Sequence, residues 1–151
     1  MVNVIRAILF LWMVIMAIGV AYVAAADKED DELKLLNAII QVESGGKRNA
    51  VGDGGKALGV LQIWPIMVKD VNRIQAINKR SKRYTLKDRL SPARSVEMFY
   101  IWREHYHKKS SDEKIARCWN GGPTGHRKQS TLKYWQKVRK AMKWKNTPIN
   151  N

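Results

Sequence analysis

The sequence predicts a single, mostly α-helical domain with at most a small β-hairpin, preceded by an apolar N-terminal segment. Apolar residues recur at helical spacing through most of the chain after residue 30. Glycines concentrate in residues 44–58, where one short hairpin can form. With 151 residues and 1 cysteine, Cys118, the chain has room for one domain that a core holds together without an internal disulfide.

The first core helix is predicted over residues 30–43, where Leu36 and Ile40 lie one turn apart on an apolar face. Acidic residues in its first turn suit the helix dipole, and Gly45-Gly46 end it. The glycine-rich loop that follows favours a hairpin around residues 51–54. Its glycines do not introduce a Gly-Lys-Ser/Thr sequence, so a phosphate-binding loop is not expected.

Two further helices are predicted in the middle of the chain. Pro65 suits the first turn of a helix that runs to about residue 77. Residues 79–87 read as a basic loop or turn. Ser91-Pro92 then begins a long helix that reaches about His107.

Two shorter helices complete the domain. Ser110 and Glu113 have the spacing of a capping box and open a helix that Gly121-Gly122-Pro123 stop. Ser130 is predicted to cap the last helix. We place the domain at residues 27–146 and expect a frayed C-terminus at residues 147–151.

Residues 1–26 have the layout of an export segment. Arg6 precedes an uncharged apolar run over residues 7–26, and Ala24-Ala25-Ala26 fit a small-residue cleavage site. The run is also about as long as the ~20 apolar residues that cross a bilayer. A cleaved signal peptide and a retained membrane anchor therefore both stay open. In either case we expect the protein to be exported to the periplasm or cell envelope, secreted or tethered.

The charge indicates an anionic partner. The formal net charge is +15, and removing residues 1–26 takes away one base and no acid, leaving 27 basic against 13 acidic residues. For an exported protein the expected anion is the cell-envelope surface, including peptide-stem carboxylates, wall polymers and anionic lipid. Nucleic acid fits poorly with an export segment, so we expect none, and we expect a monomer.

Glu43 is the candidate catalytic residue, because it follows an apolar turn and precedes Ser44 and two glycines. A carboxyl half-buried there would have its pKa raised, as a general acid at neutral pH requires. Gln62, within an apolar run, and Asn120, before two glycines, are amides that could converge on it. Each residue also has a structural interpretation. Glu43 would be a solvated glutamate, the Gln62 amide would bond to local backbone, and Asn120 would be only a helix C-terminal residue.

Four blocks of the sequence resemble the lysozyme-like lytic transglycosylases (the soluble lytic transglycosylase domain) and the goose-type lysozymes. They are Ile40–Gly45, Gly59–Pro65, Ala116–Pro123 and, more weakly, Thr131–Val138, in the family's order. The resemblance implies a lysozyme-like fold, peptidoglycan glycan strands as substrate, and no metal or cofactor. The spacing of His105 and His107, which point to different faces of a helix, also argues against a metal site.

The resemblance also implies roles for individual residues. Glu43 would be the catalytic acid and base, with Ser44 as its polar support. The substrate-binding residues would be Ser44, Gln62, Trp119, Asn120 and Tyr134. Trp119 departs from the family, which commonly has tyrosine there; its indole can stack on a sugar but cannot accept a hydrogen bond.

Three functions follow from these expectations. In the first, Glu43 protonates the oxygen between N-acetylmuramic acid and N-acetylglucosamine, then takes the proton from the muramic C6 hydroxyl, so that a 1,6-anhydro ring closes without water. In the second, Asp53 positions a water and the enzyme is a hydrolytic, goose-type-like muramidase; otherwise Asp53 is a turn residue. In the third, the domain is a non-catalytic, cationic cell-wall-binding module.

Overall fold

The computed structural model describes residues 2–144, with side chains at residues 12–18, 20–21 and 30–143. The expected fraying of residues 147–151 lies outside the described residues. The described chain is mostly helical: α1 is Val2–Ser44, α2 Pro65–Ile77, α3 Pro92–His107, α4 Asp112–Gly121 and α5 Leu132–Trp144. Strands β1 (Val51–Gly52) and β2 (Ala57–Leu58) form an antiparallel hairpin. The predicted fold class, mostly α with a small hairpin, is confirmed.

The chain divides into two compact units, Met1–Lys34 and Leu35–Asn151. In the first unit the described side chains of residues 12–18 are exposed. Within the part of the chain that the structure describes, no helix is both long and apolar enough to cross a membrane.

The core of the second unit collects apolar side chains of five helices and of the segment after the hairpin. Leu35 and Ile39 of α1 and Phe99 of α3 are fully buried at its centre. The segment that follows β2, Val60 to Ile63, supplies three more buried side chains. The remaining core residues include Val68, Val71, Met98, Trp102, Ile115, Cys118 and Val138. The buried Cys118 thus behaves as a small apolar core residue.

A buried arginine fixes the hairpin loop to the helical body. Arg89 ends a 3₁₀ helix, Leu86–Leu90, which takes up the end of the predicted basic loop. Its guanidinium donates to the carbonyl oxygens of Lys56 at 2.9 Å and Ile63 at 3.1 Å. Gly59 has φ +78°, and a Cβ there would lie 1.8 Å from the Arg89 carbonyl oxygen. Only glycine allows the hairpin loop to approach the Arg89 backbone this closely.

Two predicted helix caps are wrong. The cap of α4 is Ser111, which accepts from the Lys114 amide, whereas Ser110 lies 3.2 Å from Nδ1 of His107. Ser130 does not cap α5, because it lies inside a 3₁₀ helix, Gln129–Thr131, that leads directly into α5.

Candidate active site

The Glu43 carboxyl lies at the end of α1 in an environment that favours its protonated form. Burial raises its pKa to about 7 from an ordinary value of 4.5. Hydrogen bonds from Tyr134 and, to a smaller extent, from the Trp119 indole lower this pKa. The negative charge of Asp53 raises it. A carboxyl with this pKa is partly protonated at neutral pH, as a general acid must be.

Tyr134 reaches Glu43 from α5. Its hydroxyl donates to Oε1 of Glu43 at 2.7 Å. Burial raises the pKa of the phenol, and the nearby Glu43 carboxylate raises it further. The phenol therefore stays protonated and acts as a fixed donor. Because Oε1 is held in this way, Oε2 is the oxygen that is available to carry an exchangeable proton.

Ser44 joins the end of α1 to the hairpin loop. Its Oγ lies 2.8 Å from the Val60 carbonyl oxygen and 3.2 Å from that of Ile40, and it accepts from the Gly46 amide at 3.1 Å. These contacts place Ser44 as the support of its neighbour Glu43. Its expected contact with substrate stays a prediction.

Gln62 lies at the cleft wall, but its amide nitrogen is used by the loop. Nε2 donates to the carbonyl oxygens of Gly59 at 2.9 Å and Ala50 at 3.2 Å. The opposite end of the amide fills the space above Gly52, where a Cβ would lie 2.3 Å from Oε1. Gln62 thus orders the backbone beside Glu43. A role in substrate binding stays a prediction and would fall to Oε1.

Asp53 and Trp64 form a pair at the rim of the cleft. Nε1 of Trp64 donates to Oδ2 of Asp53 at 3.1 Å, and the Lys56 ammonium lies 5.6 Å from the indole centroid. Asp53 adopts φ +47° in the hairpin turn, so its side chain leaves the loop at an unusual angle. Trp64 is 41% exposed. An exposed indole at a cleft rim offers a flat face for a sugar ring.

These residues line one cleft of about 900 Å³. Glu43, Asp53, Gln62, Trp119 and Asn120 all contribute to its wall, whereas Tyr134 lies behind Glu43. The edge of the Trp119 ring packs on Phe99 and Trp102, with centroids 5.1 and 5.2 Å away. No group of three or more metal-binding side chains occurs among the described residues.

The transglycosylase SLT domain is the family whose profile matches residues 21–142, which is most of the chain. This chain belongs to that family. Membership identifies it as a lytic-transglycosylase-type enzyme that acts on peptidoglycan. It also agrees with the resemblance drawn from Ile40–Gly45, Gly59–Pro65 and Ala116–Pro123.

The fold of this SLT domain is also similar to a solved structure. It matches a chain of the crystal structure of Aeromonas hydrophila PliI in complex with Meretrix lusoria lysozyme. The two chains are 26% identical with a TM-score of 0.57, and the match covers 71% of this chain and 87% of the other. The comparison with curated proteins gives no match.

Several cleft residues have no counterpart in the sequence-based prediction. Trp64 is one of them, and its hydrogen bond to Asp53 joins positions 11 residues apart. His107, Lys114 and His126 also line the cleft. Their sequence signal is weak, because lysine is common in this chain and the histidines were weighed only as metal ligands.

Proposed function

We propose that this SLT domain cleaves the β-1,4 bond between N-acetylmuramic acid and N-acetylglucosamine without water, and leaves a 1,6-anhydromuramic end. Glu43 is the general acid and then the general base. The observation that carries the proposal is the state of Glu43, a cleft carboxyl whose pKa is raised by burial to about 7 and which Tyr134 holds through one oxygen.

The first step is proton transfer from Oε2 of Glu43 to the glycosidic oxygen. The bond to the leaving sugar breaks as an oxocarbenium-like centre develops on the muramic ring. The substrate's own N-acetyl group assists at that centre. Glu43 is then a carboxylate, and the Tyr134 phenol and the Trp119 indole stabilise its charge.

In the second step Glu43 accepts the proton of the muramic C6 hydroxyl as that oxygen attacks the anomeric carbon. One ring bond forms, the proton returns to Oε2, and the enzyme regains its starting state. One carboxyl group is sufficient for both steps, and no cofactor takes part. Asn120 and the exposed Trp64 line the same cleft as Glu43, and in this proposal they hold the sugar there.

The second candidate function is hydrolysis, because Asp53 lines the same cleft and its charge acts on Glu43. A carboxylate in that position is suited to orient a water on the opposite face of the sugar. In this alternative the Trp64 indole would hold Asp53 in place. The product would be an ordinary reducing end.

The test is mass spectrometry of the muropeptides that the full-length protein releases from purified peptidoglycan. Products lighter by one water, absent with Glu43→Gln, support the transglycosylase reaction. The matched control is Glu104→Gln, an exposed glutamate of α3 that pairs with Lys108 at 2.7 Å. Ordinary reducing ends would instead favour hydrolysis. Undiminished lysis by Glu43→Gln would remove the assignment of the acid.

We further propose that the protein works outside the cytoplasm as a monomer, carried there by residues 1–26 as a signal peptide or membrane anchor. Two features support this setting: the uncharged run over residues 7–26 and the excess of 28 basic over 13 acidic residues. Such a charge favours contact with the anionic cell envelope. The mass of the mature N-terminus, from the membrane and soluble fractions of cells, tests cleavage against anchoring.

A further inference from the structure

A group of three basic residues, here called the basic cluster, lines the cleft: His107, Lys114 and His126. They come from the end of α3, the first turn of α4 and the 3₁₀ helix Gly125–Arg127. Burial lowers the pKa of both imidazoles, and the positive charge of Lys114 lowers both further. All three side chains line the same cleft, and this shared position is the reason to treat them as one group.

The two imidazoles are already held by the protein through one nitrogen each. Nδ1 of His107 lies 3.2 Å from the Ser110 hydroxyl, and Nδ1 of His126 lies 3.3 Å from Sγ of Cys118. These contacts fix the ring orientations and leave Nε2 of each ring to a ligand. An imidazole in the tautomer that carries its proton on Nε2 can donate to an anion, and the Lys114 ammonium supplies the charge beside it.

The acidic residues of the cleft wall have partners outside the basic cluster. Asp70, on the cleft wall, is paired with Arg73 at 2.8 Å and accepts from the Tyr106 hydroxyl at 3.1 Å. Asp53 accepts from Trp64. Glu113, next to Lys114, pairs with Arg117 at 2.7 Å.

The basic cluster is connected to the catalytic end of the cleft. The His107 ring lies 4.6 Å from Trp102 and Trp102 lies 5.2 Å from Trp119, centroid to centroid. Trp119 in turn contacts the Glu43 carboxyl. Along α4, Lys114 precedes Trp119 by five residues, which is about 8 Å at the ~1.5 Å rise of a helix. One substrate chain can contact both.

We propose that the basic cluster binds a carboxylate on the muramyl side chain of the glycan. This inference rests on the proposed function, because it assumes that a glycan strand occupies the cleft. Two sources share the chemistry: the lactyl carboxylate of a peptide-free strand and the carboxylates of the stem peptide. Since only muramic acid carries such a group, its capture at Lys114 sets which glycosidic bond faces Glu43.

The test is binding of defined strands to full-length protein that carries Glu43→Gln, so that cleavage does not interfere. Lys114→Gln is added to this background, with Lys109→Gln as the matched control, since Lys109 is exposed and is not part of the cleft wall. Three probes are compared: peptide-bearing strands, peptide-free strands, and strands whose carboxyl groups are amidated. Thermal unfolding of each variant verifies the fold.

We expect Lys114→Gln to raise the Kd of carboxylate-bearing strands about three- to tenfold, as the loss of one partly exposed charge contact does. The Kd of the amidated strands should be the same for Lys114→Gln as for the background protein. A loss confined to peptide-bearing strands identifies the stem as the source, and a loss confined to peptide-free strands identifies the lactyl carboxylate. A loss on both means that the site accepts either carboxylate. Equal affinities for Lys114→Gln and Lys109→Gln on all strands would overturn the proposal.

Failure of the proposed function has a separate signature. If the protein with native Glu43 releases no anhydro product but binds strands through Lys114, the carboxylate site stands and the proposed reaction is wrong. If the protein releases anhydro product but neither Kd nor KM depends on Lys114, the proposed reaction stands and the proposed carboxylate site is wrong.

Discussion

The hydroxyl of Tyr134 donates to Oε1 of Glu43 at 2.7 Å across 91 residues of sequence. Glu43 ends α1 and Tyr134 lies in α5, so the acid is complete only when the last helix has packed. The bond opposes the effect of burial on the Glu43 pKa, which nevertheless reaches about 7. The site therefore balances a raised pKa against a fixed orientation of the carboxyl group.

Tyr134→Phe should move the basic limb of the pH profile of kcat/KM to higher pH. The bond from Tyr134 stabilises the charged carboxylate, so its removal raises the pKa of Glu43 above about 7. The kcat at the optimum should fall about ten- to a hundredfold, because the carboxyl loses its orientation. Initial rates from pH 5 to 9 measure both effects.

Tyr84→Phe is the matched control, because it removes a tyrosine–glutamate hydrogen bond outside the cleft, at 2.9 Å to Glu97. Tyr84→Phe should leave the basic limb of the kcat/KM profile near pH 7. A limb that moves to lower pH in Tyr134→Phe would contradict the role of the phenol.

Glu43→Gln should stabilise the protein at alkaline pH and have little effect at acid pH. The pKa of Glu43 is higher in the folded protein, about 7, than its ordinary 4.5. The folded state then binds the proton more tightly, so the free energy of unfolding falls as pH rises through this interval. Gln has no charge to bury, and the variant should gain about 1–3 kcal/mol at pH 8.

Urea unfolding of wild type and Glu43→Gln at pH 4 and pH 8 measures this difference. Glu104→Gln, at an exposed position of α3, should show no such gain. A gain at pH 4 as large as that at pH 8 would mean that packing, not the buried charge, explains the stabilisation.

Local sequence signals predicted where α2 and α3 begin, whereas α1 begins at Val2 and not near residue 30 as predicted. Pro65 and the pair Ser91-Pro92 mark the starts of α2 and α3, because a proline in the first turn and a serine cap act within a few residues. The same logic placed the α4 cap one residue too early, at Ser110 instead of Ser111. Two adjacent serines are equivalent by sequence, and the contact of Ser110 with His107 decides between them.

The active site was only partly predictable from the sequence, because some of its contacts depend on tertiary packing. The motifs pointed to Glu43, and the glycines around it indicated a cleft. The pairs that tune the site, Tyr134 with Glu43 and Trp64 with Asp53, depend on how distant segments pack. Nothing in the composition separates Lys114 from the other lysines until α4 places it at the cleft.

Asp53→Asn should retain the anhydro product and lower the pKa of Glu43. The negative charge of Asp53 raises that pKa, so a neutral amide moves the basic limb of the pH profile to lower pH, by less than about one unit for one partly screened charge. Trp64→Phe keeps the charge and removes the hydrogen bond, so its limb should stay in place. Loss of all product with Asp53→Asn would assign Asp53 to catalysis.

Gln62→Leu should loosen the hairpin loop and lower activity through it. The change removes the bonds from Nε2 to the carbonyl oxygens of Ala50 and Gly59, which keep their backbone donors, at a cost of about 0.5–1.5 kcal/mol per bond. Hydrogen exchange at the Gly59 amide, which donates to Ala50 at 2.9 Å, should speed up. Gln136→Leu, on the exposed face of α5, is the control and should change neither quantity. If exchange stays slow while KM rises, Gln62 contacts the substrate through Oε1 and its effect on the loop is secondary.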